Sequence, residues 1–224
     1  DSFFILGEHD ISRIRTTPIP YIYHNLGFSK YIGNGKPIEY KGIMLAGLDK
    51  IRKTEMSQYE ETFSNLDKSV EKFSGHKILV LHQGITEFNK FAGELQSTDL
   101  PKNFTYYAMG HLHDKDIKQF NHLKGPIAYP GSIELTTSEG IKDIKKGFFE
   151  VDISGDEAVP KWIELDTRPQ FSFDTEYKEL SKTIDQIIEK ISNLTKKPII
   201  EVKIQGEEIE TDQIQAQIAR LNAL

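Results

Sequence analysis

Three short apolar segments of the chain each run directly into a loop that carries a histidine. Residues 3–6 lead into the loop of His9, residues 77–81 lead into His82, and residues 106–109 lead into the loop of His111. Strands that are apolar throughout are typical of a sheet that is covered on both faces. Because residues that follow neighbouring strands of such a sheet meet at one edge, we expect the three histidines to share one site.

The spacing of the other apolar residues predicts a helix and several further strands. Between Met56 and Phe73 these residues recur every three or four positions, which predicts an amphipathic helix with Thr54 as its cap. Short strands separated by turns are predicted at 42–46, 127–129, 148–153 and 161–165.

An Arg-Pro pair indicates a linker between two domains, and the predicted elements after it form a small second unit. We place the domains at residues 1–168 and 171–224. In the second domain the pattern predicts a helix over 177–194, an alternating strand over 200–204 and a further helix from Ile214. The expected fold class is therefore α/β, layered in the α+β manner.

Composition and charge exclude several classes of function. The chain contains no cysteine, which excludes a disulfide framework, a thiolate metal site and a cysteine nucleophile. No apolar run is long enough to cross a bilayer, so we expect a cytoplasmic protein without a membrane partner. The net charge is 28 − 34 = −6, yet residues 11–60 carry eight basic and four acidic residues. A basic face for nucleic acid is thus compatible with the acidic total.

His111 and His113 are candidate metal ligands because of their spacing. In an extended segment, residues i and i+2 point to the same side, roughly 6.5–7 Å apart. Each imidazole could therefore hold one ion of a two-metal pair. Gly110 before them allows a close approach of the backbone. The alternative is a hydrogen-bonding pair at the surface.

The segment Gly-Glu-His-Asp at residues 7–10 also has two interpretations. As a functional loop, it offers the Glu8 carboxylate as a ligand beside His9, which can transfer a proton near neutral pH. As a purely structural turn, it places an aspartate to cap the residues that follow. Arg13 and Arg15 come next, either as contacts to phosphate groups or as ordinary surface charge.

The order of these motifs resembles that of the calcineurin-like metallophosphoesterases, and within them the archaeal meiotic-recombination-eleven nucleases of DNA double-strand-break repair. Besides the three histidine loops, the chain has Tyr-Pro-Gly-Ser at 129–132 and Lys-Gly-Phe-Phe at 146–149. The resemblance covers residues 1 to about 170, and the remainder matches the family's DNA-capping domain in layout. It implies a β-sandwich flanked by helices, incomplete at its N-terminus, followed by a small α/β capping domain.

The resemblance also assigns roles to residues of this chain. It implies that His82 and His111 hold one Mn²⁺ ion and that His113 belongs to the second ion of a two-metal site. His9 matches a catalytic histidine that is not a ligand. Glu8 stands where the family has an asparagine ligand, and its negative charge is expected either to tighten metal binding or to slow metal exchange.

Two motifs of the family are absent from the sequence. The family begins with Asp-x-His and Gly-Asp-x-x-Asp, which supply the remaining ligands and the bridging carboxylate. We therefore expect the chain to lack an N-terminal part, and to be inactive on its own. The segment by which the family binds its ATPase subunit is likewise expected to be absent.

The function implied is a Mn²⁺-dependent DNA nuclease that processes DNA ends in double-strand-break repair. The resemblance implies 3′-to-5′ exonuclease action on double strands and endonuclease action on single strands. The implied partners are DNA ends, an SMC-like ABC ATPase subunit and a second copy in a homodimer, all at the nucleoid in the cytoplasm. The alternatives are a metallophosphoesterase for small phosphodiesters and a non-catalytic scaffold that binds DNA ends.

Overall fold

The computed structural model describes residues 1–11, 17–51, 55, 59–134, 145–207 and 209–222. The chain divides into two compact units, of which the first comprises residues 1–132 and 147–164 and the second residues 133–146 and 165–224. Each unit has a hydrophobic core of its own.

A mixed sheet forms the centre of the first unit. The first-unit strands are β1 (Phe3–Phe4), β2 (Lys30–Tyr31), β3 (Ile38–Tyr40), β4 (Ile43–Leu48), β5 (Lys77–His82), β6 (Tyr106–Gly110), β7 (Asp116–Lys118), β8 (Ile127–Tyr129), β9 (Gly147–Asp152) and β10 (Val159–Glu164). The order in the central sheet is β3-β4-β5-β6-β8-β7. β4, β5, β6 and β8 run parallel, whereas β3 and β7 pair antiparallel at the two edges.

Both faces of the central sheet are covered, which explains why its strands are apolar throughout. Leu79 and Tyr107 point to the face on which helix α2 (Tyr59–Val70) packs. Tyr106 and Ala128 point to the face covered by the β9–β10 hairpin. This arrangement confirms the expected α/β layering.

The helices of the first unit are short. The short helix α1 spans Tyr21–Asn25 and the longer helix α2 spans Tyr59–Val70. The helix predicted over 56–73 is thus confirmed over residues 59–70, and it ends three residues earlier than predicted. Thr54 and Met56, which the prediction placed at its start, lie outside the described residues.

The apolar run at residues 3–6 forms less strand than predicted. Only β1 pairs, in parallel, with β2, and this pair is separate from the central sheet. Leu6 is instead held at the end of β4: its carbonyl accepts from Lys50 N–H at 2.8 Å and its N–H donates to Asp49 Oδ1 at 2.8 Å. The loop that follows therefore begins beside the carboxyl ends of the central strands.

The second unit alternates strands and helices. It contains β11 (Gln170–Glu176), a 3₁₀ turn (Tyr177–Glu179), α3 (Leu180–Ile191), β12 (Ile199–Gln205) and α4 (Thr211–Asn222). β11 and β12 pair in parallel, and the apolar stripe of α3 packs against both strands. The small α/β unit predicted from the pattern is confirmed. Within the described residues, no helix combines the length and apolarity needed to cross a membrane.

Candidate metal centre

Three side chains from distant parts of the chain converge at the carboxyl edge of the central sheet. They are Glu8, in the loop after β1, His82, the last residue of β5, and His111, the first residue after β6. Glu8 Oε2 lies 2.8 Å from His82 Nε2, and Glu8 Oε1 lies 3.0 Å from His111 Nδ1. All three ligand atoms lie within 4.8 Å of one another, so one ion could contact all of them.

The parallel pairing of β5 and β6 places the two histidines side by side. In that register His82 lies opposite Gly110. His111, which follows this glycine, therefore lies next to the His82 ring. The ring centroids of His82 and His111 are 5.5 Å apart. The expectation that the strand ends bring histidines together is confirmed for these two.

Glycines on both sides make room for the His82 imidazole. A Cβ on Gly7 would lie 2.8 Å from His82 Cε1, and a Cβ on Gly110 would lie 2.7 Å from His82 Nδ1. Real Cβ atoms do not approach so closely, so any larger residue would displace the ring. Gly7 and Gly110 are therefore required because a larger residue at either position would overlap the His82 ring.

The backbone at His111 differs from the sequence prediction. His111 has a φ of +93°, a conformation that side chains with a Cβ adopt rarely and at an energetic cost. The prediction of an extended segment through 111 and 113 is therefore wrong. Among the residues that the structure describes, His113 does not join the cluster of Glu8, His82 and His111. Its assignment to a second ion stays a prediction.

The other candidate residues lie beside the cluster or outside the described chain. The His9 side chain is 93% exposed, with Nε2 3.9 Å from Glu8 Oε1, and His9 is not part of the cluster. This position is compatible with a group that faces a substrate. Arg13 and Arg15 lie outside the described residues.

The electrostatics of the cluster favour the protonation states that a metal requires. Burial lowers the pKa of His82, Glu8 partly offsets this effect, and the charges of His111 and Lys50 add to it. For Glu8, burial acts to raise the pKa, but a backbone hydrogen bond and the charges of His111, His82 and Lys50 outweigh it, so the pKa is lowered. A neutral imidazole and an ionised carboxylate are the forms that bind metal.

The donor set fits a divalent transition metal. One carboxylate and two imidazoles suit Mn²⁺, Zn²⁺ or Fe²⁺ by ligand chemistry, and donor type alone does not choose among them.

Comparison with known proteins identifies the family. No family model matches the chain. The chain is 32% identical over 211 residues to the DNA double-strand break repair protein Mre11 of Methanocaldococcus jannaschii, covering 92% of this chain and 56% of that protein. It is 29% identical over 228 residues to Mre11 of Saccharolobus solfataricus, covering 97% of this chain and 58% of that protein.

The chain belongs to the Mre11 family. A further relative is Mre11 of Thermoplasma acidophilum, 29% identical over 222 residues. The chain spans little more than half the length of these Mre11 relatives. The resemblance inferred from the order of the motifs is therefore confirmed, and the α/β architecture agrees with the metallophosphoesterase fold of Mre11.

Asp49 helps to hold the loop of Glu8, a role that the sequence pattern did not indicate. Asp49 accepts a hydrogen bond from Leu6 N–H, as described above, and Asp10 Oδ2 accepts one from Gly7 N–H at 2.9 Å. Asp49 comes directly after β4. The same rule that singled out the histidines, namely polar residues at strand ends, would have identified it.

A buried ion pair close to the cluster was also missed. Lys50 Nζ bonds to Glu94, and the side chains are only 8% and 14% exposed. The sequence shows no link between these residues because 44 positions separate them.

Proposed function

We propose that this chain carries the metal-binding core of a DNA nuclease that processes the ends of double-strand breaks. The observation that carries the proposal is the Glu8 carboxylate between His82 and His111, with an oxygen 2.8 Å from a ring nitrogen of the first and 3.0 Å from one of the second. Membership of the Mre11 family supports the choice of DNA as the substrate, since the relatives are DNA double-strand break repair proteins.

The reaction we propose is the hydrolysis of a phosphodiester at a two-metal site. Divalent ions bound at such a site polarise the phosphodiester and lower the pKa of the attacking water. Glu8, His82 and His111 would hold one ion, and His113 would belong to the second. Mn²⁺ is the ion we propose, because the donor set accommodates it and the family resemblance implies it.

His9 is proposed as the group that assists the leaving oxygen. Its exposed imidazole lies next to the cluster without joining it. A protonated His9 can donate a proton to the departing sugar oxygen, or stabilise the negative charge that develops there. Exonuclease action on double strands and endonuclease action on single strands are part of the proposal.

The proposed partners are DNA ends, an ABC ATPase subunit and a second copy of the chain. Apolar side chains around α1 support the homodimer: Ile19, Leu26 and Phe28 are 73%, 64% and 70% exposed. A second copy of the chain would remove these apolar side chains, which are close in the sequence, from water. We propose residues 1–168 as the nuclease domain and residues 171–224 as a domain that positions DNA. Arg13 and Arg15 are proposed to contact its phosphates.

A chimaera tests the proposed function. In it, this chain replaces the matched 211-residue segment of Mre11 from Methanocaldococcus jannaschii. We expect Mn²⁺-dependent cleavage of duplex DNA that is lost in His82→Ala together with the metal. Cleavage of a small chromogenic diester but not of DNA would favour the small-substrate alternative. DNA binding without any cleavage would favour the scaffold.

Residues 1–224 on their own are expected to behave differently. The cluster in the described residues offers ligands for one ion, so we expect one Mn²⁺ per chain and no DNA cleavage. Two ions per chain with robust cleavage would overturn this part of the proposal.

A further inference from the structure

The buried pair of Lys50 and Glu94 lies close to the metal cluster, since the charge of Lys50 acts on both Glu8 and His82. Burying two charges has a large desolvation cost that their attraction does not always offset, so such a pair is weak evidence for stability alone. The position of this pair, which contacts the segments that carry Glu8 and His82, indicates another role.

Lys50 contacts the segment that carries Glu8. Its backbone N–H donates to the carbonyl of Leu6 at 2.8 Å, and Leu6 precedes Glu8 by two residues. The preceding residue, Asp49, accepts from Leu6 N–H. The end of β4 therefore holds both polar backbone groups of Leu6 and fixes the start of the Glu8 loop.

Glu94 contacts the turn that follows His82. Its Oε2 accepts from Gly84 N–H at 3.2 Å. The Gln83 amide nitrogen donates to the same oxygen at 2.6 Å when the amide is oriented so that its oxygen accepts from Ile51 N–H. That orientation is the chemically consistent one, since the reverse would turn the amide oxygen towards a carboxylate. Glu94 thus binds the two residues after His82.

The same turn also limits the position of His111. A Cβ on Gly84 would lie 3.2 Å from His111 Cδ2 and 1.8 Å from the carbonyl oxygen of Ala92. Gly84 is therefore packed between the His111 ring and the loop that carries Glu94. A shift of this turn would move the neighbours of both imidazoles.

We propose that Lys50 and Glu94 are positioning residues of the metal centre, whose ion pair ties the segment that carries Glu8 to the turn after His82. The inference rests on the proposed metal function. Residues that orient ligands from behind typically change metal affinity by about 10- to 100-fold when they are replaced. The positive charge of Lys50 also acts on the cluster, where it contributes to lowering the pKa of Glu8 and of His82.

The central test is the double variant Lys50→Met/Glu94→Gln. It removes one positive and one negative charge, so the net charge near the cluster is unchanged and no buried charge is left without a partner. The amide introduced by Glu94→Gln would keep an oxygen for Gly84 N–H. We expect the Mn²⁺ dissociation constant of residues 1–224 to rise about 10- to 100-fold. Isothermal titration with Mn²⁺ alone measures it.

The matched control is Lys77→Met. Lys77 is also a buried lysine, only 6% exposed, and its Nζ donates to the carbonyl of Glu71. It begins the strand that His82 ends, about 16 Å away by the rise of a strand. We expect this variant to lose thermal stability yet keep the wild-type Mn²⁺ affinity.

A second readout does not depend on metal. In the metal-free chain, the imidazole NMR signals of His82 and His111 should shift in the double variant and stay in place in Lys77→Met. If the wild-type chain bound no Mn²⁺, the proposed metal function would fail, while these signals would still decide the positioning role.

The opposite results overturn the inference. They are a double variant with wild-type Mn²⁺ affinity and unshifted imidazole signals, or a loss of affinity that Lys77→Met reproduces in proportion to its loss of stability. If the double variant does not fold, Glu94→Asp replaces it. This change keeps both charges but shortens the side chain, so it weakens the contact to Lys50 or to Gly84. The same increase in dissociation constant and the same signal shifts are expected, and their absence counts against the proposal.

Discussion

The Glu8 carboxylate bridges two imidazoles, with Oε2 2.8 Å from His82 Nε2 and Oε1 3.0 Å from His111 Nδ1. Glu8 lies in a loop, whereas His82 and His111 lie at the ends of two strands, 74 and 103 positions further along the chain. A carboxylate at this point gives the cluster a negative charge, where the resemblance to the Mre11 family implies a neutral asparagine. The charge of residue 8 is therefore the first property to test.

Replacing Glu8 with asparagine should weaken metal binding. The amide oxygen can still coordinate, but the attraction of a full negative charge is lost, and a charge pair at 4 Å contributes about 4 kcal/mol at an effective dielectric constant of 20. Because the amide offsets part of this loss, we expect the Mn²⁺ dissociation constant to rise at least about tenfold. Isothermal titration measures it. Glu150→Gln, on an exposed part of β9, is the control, and an unchanged titration of Glu8→Asn would mean that Glu8 is not a ligand.

Adding a methyl group at Gly110 should displace the His82 ring. Its Cβ would lie 2.7 Å from His82 Nδ1, and overpacking of this kind costs about 1–3 kcal/mol. We expect Gly110→Ala to lower both thermal stability and Mn²⁺ affinity. Gly155→Ala is the matched control, because a Cβ there meets nothing within 4 Å. Equal behaviour of the two variants would contradict the packing argument.

The protonation of His82 should depend on Glu8. Burial holds the pKa of His82 below its ordinary value of about 6.5, and Glu8 raises it in part. Glu8→Gln should therefore lower the pKa further, as measured from the His82 Cε1–H signal in a pH titration of the metal-free chain. An unchanged pKa would show that the two side chains do not interact.

The same depressed pKa makes stability depend on pH. As the pH falls below about 6.5, the unfolded chain takes up a proton on His82 that the folded chain does not. Proton binding therefore stabilises the unfolded state relative to the folded state. The contribution of His82 to the free energy of unfolding should thus decrease towards acid pH. His82→Gln should show a smaller loss of stability between pH 7 and pH 5 than the wild type, as measured by urea unfolding.

His9 should affect the reaction but not the metal. In the chimaera, His9→Ala is expected to reduce cleavage of duplex DNA by about 10²- to 10⁴-fold, as for the loss of a general acid. The Mn²⁺ content, measured by elemental analysis, should stay at the wild-type level, since His9 lies outside the cluster. Loss of the metal along with the imidazole would make His9 a ligand and refute its proposed role.

The sequence predicted the central sheet well because its strands are covered on both faces. Leu79 and Tyr107 face one layer while Tyr106 faces the other, and this burial produces the continuous apolar runs that mark the strands. The parallel register then brings His82 and His111 together, as strand ends do in such sheets. The apolar run at 3–6 predicted a longer strand than the structure has. Only Phe3–Phe4 pairs with another strand, and Leu6 is held by Asp49 and Lys50 instead.

What the sequence could not supply are features set by contacts between distant segments. The positive φ of His111 runs against local preference and is imposed by its surroundings, so no local pattern predicts it. The pairing of Lys50 with Glu94 depends on how the loop after β5 folds back onto the end of β4. Such contacts arise only once the chain is folded.

The most direct test of the metal centre is pulsed electron paramagnetic resonance of Mn²⁺ bound to residues 1–224 with ¹⁵N-labelled histidine. Coupling of the ion to two imidazole nitrogens is predicted, with one lost in His82→Ala and the other lost in His111→Ala. His9→Ala should leave both couplings intact. Mn²⁺ that shows no imidazole coupling, or coupling that survives both His82→Ala and His111→Ala, would contradict the proposed centre.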